Sequence, residues 1–149
     1  MNLAVSAISL LPKSARRRNL IAKAVRLTLS SEKAVPPGPI SVIFVDRAQM
    51  KQLNKRFLGH DYDTDVIAFN YDEFPKGALA PFGDIFISSD QARLQAKRLG
   101  HSVLTEVLTL VIHGTLHLLG YDDSTPRQKA HMFSRQDRLL ARIKRNGPA

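Results

Sequence analysis

The stretch from Val103 to Leu119, VLTEVLTLVIHGTLHLL, constrains the fold of this chain more than any other. Its polar residues are Thr105, Glu106, Thr109, His113, Thr115 and His117, set among valine, leucine and isoleucine. A helix that is apolar nearly all round has no face for water, so it belongs at the centre of a fold with other elements packed about it. Ser102 predicts its N-cap. Gly120 predicts its end, because a glycine there takes up the left-handed backbone that turns the chain.

Two histidines interrupt this helix. His113 and His117 stand about 40° apart around the axis and about 6 Å apart along it, so they project from one face toward one point. As core residues each would need its own buried partner, whereas one metal ion satisfies both. The turn at Gly120 brings Asp123 back toward the histidine face and completes HxxxHxxGxxD. That is the ligand spacing of the extended zincin motifs, with an aspartate as third ligand. Three protein ligands leave a fourth position for water, the arrangement of a catalytic zinc, which would acidify that water and polarise a carbonyl or phosphoryl oxygen.

Zincin proteases carry a glutamate base directly after the first histidine. Gly114 stands there instead, which disfavours a zinc peptidase. Glu106, seven residues before His113 on the same helical face, is a candidate to support a ligand histidine by hydrogen bonding, or else a helix-capping carboxylate. Imidazole and carboxylate donors accept zinc, nickel or another borderline divalent ion.

The remaining pattern supplies the elements around that helix. A strand is expected over residues 3–8, then a basic amphipathic helix capped by Ser14 and running to Leu29, where VPPGP stops it. ISVIFVD, residues 40–46, is apolar on both faces, as a buried strand requires. Asp46 and Gln49 form a capping box for a short helix to Arg56, and a polar loop leads to a strand at 66–69. Strand, helix, strand predicts a parallel pair with a right-handed crossover. Residues 70–82 read as an exposed loop and GDIFIS, 83–88, as a strand. Ser89 opens a helix that Gly100 ends, and Thr125, Pro126 and Gln128 begin a last helix ending near Lys144. The expected fold is α+β, one domain over residues 1–149 with 145–149 disordered. In it a small mixed sheet of about four strands is packed by about five helices, the buried central one carrying the metal ligands.

Lysine and arginine outnumber aspartate and glutamate by 22 to 13, a net charge of +9, which favours an anionic partner. Arg16, Arg17 and Arg18, then Arg93, Lys97 and Arg98, then Arg135, Arg138 and Arg142 spread the charge along three expected helices, which suits a phosphate backbone. Cysteine is absent, so neither disulfides nor thiolate ligands are available. LAVSAISLL is too short to span a bilayer, and the chain reads as cytoplasmic, without a membrane partner and monomeric by default.

LNKRFLGHDYDTDVIAF, FGDIFIS followed soon by DQA, and HGTLHLLGYDD, in that order, resemble the YbeY family of bacterial endoribonucleases and ribosomal RNA maturation factors over about residues 40–140. The resemblance implies a single-strand-specific, metal-dependent endoribonuclease acting in maturation of the small-subunit ribosomal RNA and in ribosome quality control. Its partners would be RNA and the small ribosomal subunit, and its zinc, one per chain, would be held by His113, His117 and Asp123. A metal-stabilised RNA-binding ribosome-assembly factor with little turnover is the alternative.

Three departures from the family pattern stand out. Asp123 occupies a position where histidine is usual, and its charge makes the metal a weaker Lewis acid. Leu58 fills the slot of an arginine that contacts RNA phosphate, leaving Lys55, Arg56 and His60 as substitutes. Asp63 replaces a proline. Thr64 and Asp65 open a strand in the family's cleft region and complete the RNA-binding candidates. Met132 is expected in the core, and His60 and His101 in solvated loops.

Overall fold

The computed structural model describes residues 2–36, 38–71 and 82–146. Strand β1 (Leu3–Ser6) is shorter than expected, because Ala7 takes a left-handed backbone, φ 59°, and turns the chain into a 3-10 turn over Ile8–Leu10. Ser14 caps no helix. It lies in a second 3-10 turn, Lys13–Ala15, pinned by the fully buried Leu11 and Ala15, and helix α1 (Arg18–Ser31) starts only after it. Arg16 and Arg18 donate back to the carbonyls of Leu11 and Val5, so part of the first basic cluster closes this corner.

Strand β2 (Ile40–Val45) leads through the expected capping box of Asp46 and Gln49 into α2 (Arg47–Leu58), which Gly59 ends at φ 73°. Strands β3 (Val66–Asn70) and β4 (Gly83–Ser88) complete one sheet of order β1-β2-β4-β3. β2 is parallel to β1 and β4, but β3 is antiparallel to β4 and does not adjoin β2, which corrects the expected parallel pair. The reason lies in the loop before β3. The buried Asn54 amide donates to the carbonyl of Tyr62 at 2.8 Å, and Asp61 lies beside Lys51 and Lys55 and Asp63 beside Arg47, so the chain retraces α2 toward its start before entering the sheet. β3 therefore begins where β2 ended and runs the opposite way.

Ser88, one residue earlier than expected, caps α3 (Ser89–Leu99), and Gly100 ends it at φ 73°. Ser102 caps α4 (Val103–Leu118) as predicted. Thr125 and Gln128 exchange hydrogen bonds at the start of α5 (Pro126–Asn146). Arg145 and Asn146, expected to be disordered, continue that helix. Residues 72–81 of the expected loop and 147–149 of the expected tail lie outside the described residues.

α4 is the buried centre that its composition demands. It packs on β3 and β4 and is flanked by α1, α3 and α5, with Val107, Val111, Ile112 and Leu116 fully buried. Two glycines let it lie close to the sheet. A Cβ on Gly114 would stand 2.6 Å from Cγ2 of Ile85, and one on Gly83 would stand 2.7 Å from Cδ2 of Leu118. Asn70 donates from its amide to the carbonyl of Leu118, using one of the carbonyls that a helix C-terminus leaves over. The opposite sheet face carries a smaller cluster, Val45, Met50 and Ile67, under α2. Among the described residues no single helix is long and apolar enough to cross a membrane.

Candidate metal centre

His113 and His117 point from the last turns of α4 to one place, and the turn after it, with Gly120 at φ 98°, returns Asp123 to them. The two Nε2 atoms are 3.1 Å apart, and Oδ2 of Asp123 lies 3.7 Å from the first and 3.6 Å from the second. Ligands of a tetrahedral zinc, each about 2.0–2.1 Å from the metal, stand about 3.3–3.4 Å from one another, so the triangle has the size that such an ion requires.

The hydrogen bonding behind the triangle agrees with that fit. Nδ1 of His113 lies 2.7 Å from Oε1 of Gln136, a buried residue of α5. An amide oxygen only accepts, so Nδ1 carries the proton and Nε2 presents a lone pair to the centre. Burial holds the His113 pKa below its ordinary 6.5; the bond to Gln136 opposes that shift without reversing it. The ring is therefore neutral near pH 7, as a ligand must be. His113, His117 and Asp123 thus form a group able to hold a metal ion.

Glu106 is not the partner of His113. Its buried carboxylate meets Nε2 of His101 at 2.7 Å, so His101 is tied to the start of α4 and is not simply solvated. Met132 is fully buried in the main core, as expected. Asp65 lines the same cleft as His113 and Asp123; its two oxygens accept from the backbone N–H of Val66 and from the amide of Gln95.

The other RNA-binding candidates lie elsewhere. Lys55 and Arg56 border a groove of 870 Å³ on the α2 side of the sheet, with Phe57 and Phe86. The rings of His60 and Tyr62 meet tilted by 30° with centroids 5.3 Å apart, and the half-buried Thr64 precedes Asp65. Leu58 is half exposed. Arg93 donates to the carbonyl of Leu10, and Arg135 pairs with Glu32, so these members of the basic clusters serve the fold.

One arrangement at the site escaped the sequence reading. The Tyr121 hydroxyl donates to Oε1 of Glu32 at 2.6 Å, and Arg135 Nε donates to Oε2 at 2.6 Å. The end of α1 thereby holds both the ligand-bearing turn and α5. No spacing could have signalled it, since Glu32 is 89 residues from Tyr121 and 103 from Arg135.

Residues 7–144 match the profile of a protein family described as Endoribonuclease YbeY. A protein of that name from Elusimicrobium minutum is 42% identical over 134 residues, covering 89% of this chain and 92% of that protein. One from Bacillus licheniformis is 37% identical over 130 residues, 82% of each. The solution structure of TM1509 from Thermotoga maritima superposes with a TM-score of 0.62 at 24% identity, covering 95% of this chain and 87% of that one, and so shares the fold.

Proposed function

The chain belongs to the endoribonuclease YbeY family, and from that premise we propose that it is a zinc-dependent, single-strand-specific endoribonuclease maturing small-subunit ribosomal RNA and serving ribosome quality control in the cytoplasm. As a family member it is an endoribonuclease, a hydrolase of RNA phosphodiesters. The observation that carries the metal dependence is the triangle of His113 Nε2, His117 Nε2 and Asp123 Oδ2, with edges of 3.1, 3.6 and 3.7 Å.

Those three side chains would hold the ion. Zinc bound there would supply Lewis acidity to a phosphodiester oxygen and make a nearby water or ribose 2′-hydroxyl more acidic. Gln136 keeps the His113 ring turned with Nε2 toward the centre. Asp123, the most exposed of the three at 41%, sets the open side on which RNA arrives. Lys129, on the wall of the same cleft, attracts the phosphate backbone and offsets the negative charge of Asp65 and Asp123. Gly114 faces the sheet, where Ile85 leaves no room for a side chain, so the glutamate of a zinc peptidase has no place.

The test is cleavage of a single-stranded RNA by metal-loaded wild type and His117→Ala side by side, with a duplex of the same sequence as control. The expected result is cleavage of the single strand by wild type and its loss in the variant; equal cleavage by both would overturn the reading. The half-exposed Leu58 in the arginine slot favours a second reading, an RNA-binding assembly factor of low turnover. Tight RNA binding without metal-dependent cleavage would select it.

A further inference from the structure

The cleft that contains Asp65, His113 and Asp123 extends beyond the ligands between the end of α3, α4 and α5. Its volume is 570 Å³, within the range of about 300–1,000 Å³ that seats small molecules. Past the ligands Leu99, Leu110, Leu140 and Phe133 form an apolar strip in a lining that is otherwise polar, down to the His101–Glu106 pair. A metal site that only had to grip phosphate would need no such apolar strip.

Phe133 is the notable member. Met132, Leu139 and Ile143 already supply the buried face of α5, and Phe133 remains 37% exposed beside the metal ligands. Its ring stacks on that of His113, centroids 5.9 Å apart and planes at 29°, and the ammonium of Lys129 sits 5.7 Å from its centroid. A half-exposed aromatic ring with a cation over it, at the edge of an apolar strip, matches the two halves of a nucleotide. A flat base stacks on the ring whatever its identity, and its phosphate meets the charge.

We propose that this cleft is a nucleobase site, in which the base of the nucleotide beside the scissile phosphate stacks on Phe133 while Lys129 contacts the adjoining phosphate. The proposal rests on the endoribonuclease reading of the same centre and adds a physical source for strand selectivity. Paired bases in a duplex are already stacked and cannot enter, whereas an unpaired base can be turned out.

The test compares Phe133→Leu, which keeps apolar bulk, with Phe133→Tyr, which keeps the aromatic face. Binding of a short single-stranded RNA is read by fluorescence anisotropy in a His117→Ala background, with thermal unfolding as a check on folding. Phe133→Leu should weaken binding about tenfold and Phe133→Tyr should stay near the parent, since stacking of one base on an aromatic ring is of that order.

A second arm uses an RNA whose cleaved bond has been mapped with wild type. An abasic nucleotide beside that bond should weaken binding as much as Phe133→Leu does, and the two losses should not add. Unchanged binding by Phe133→Leu, or fully additive losses, overturns the nucleobase site. Failure of wild type to cut any RNA counts against the endoribonuclease reading, and the anisotropy comparison still decides the site.

Discussion

Gln136 decides which nitrogen of His113 faces Asp123 and His117, because its amide oxygen accepts the Nδ1 proton at 2.7 Å. Leucine at 136 keeps the bulk and removes the acceptor. Gln136→Leu should therefore bind zinc about 10–100-fold more weakly, as measured by competition with a chromophoric chelator. The cluster of His113, His117 and Asp123 was legible in the sequence because helical spacing and one tight turn join the three over eleven residues. Gln136 was not, since it reaches His113 from another helix, 23 residues on. Glu106 misled for a related reason: a spacing of seven put it on the right face, but His101, five residues before it, took the carboxylate. Asp63, in its family's proline slot, leaves Oδ1 buried without a partner among the described residues.

At the scale of elements, the close approach of α4 to β4 makes Gly114 a packing residue. Gly114→Ala gains helix propensity, worth roughly 1 kcal/mol, but drives a methyl to 2.6 Å from Ile85. Overpacking of that kind costs about 1–3 kcal/mol, so the variant should unfold at lower denaturant concentration than wild type. Capping residues made most element ends readable, as with Asp46 and Gln49, Ser102, Gly100 and Thr125. The direction of β3 was not readable. The return of the loop along α2, held where the buried Asn54 amide donates to the Tyr62 carbonyl, sets it, and alternation of apolar residues within a strand is the same whichever way the strand runs.

Over the whole molecule, Glu32 joins α1, the ligand-bearing turn and α5. Desolvation raises its pKa, but the hydrogen bonds from Tyr121 and Arg135 and the charge of Arg135 outweigh that and leave it below the ordinary 4.5. A carboxyl lowered on folding contributes stability that is present above pH 4.5 and is lost as pH falls through the folded-state value. Glu32→Ala should thus cost about 1–3 kcal/mol at pH 7, and the gap to wild type in urea titrations should narrow below pH 4.5. The same carboxylate couples the metal turn to the rest of the fold. Such long-range closure belongs to the assembled chain and leaves no trace in local pattern.

One ion per chain, held by His113, His117 and Asp123, should drive RNA cleavage. Zinc is titrated into chelator-stripped wild type and into Asp123→Ala, and cleavage of a single-stranded RNA is read at each addition. Wild type should be inactive without metal and reach its plateau at one equivalent, whereas Asp123→Ala should need a large excess. Full cleavage by the stripped protein, or identical titrations of the two proteins, would contradict the three-ligand centre.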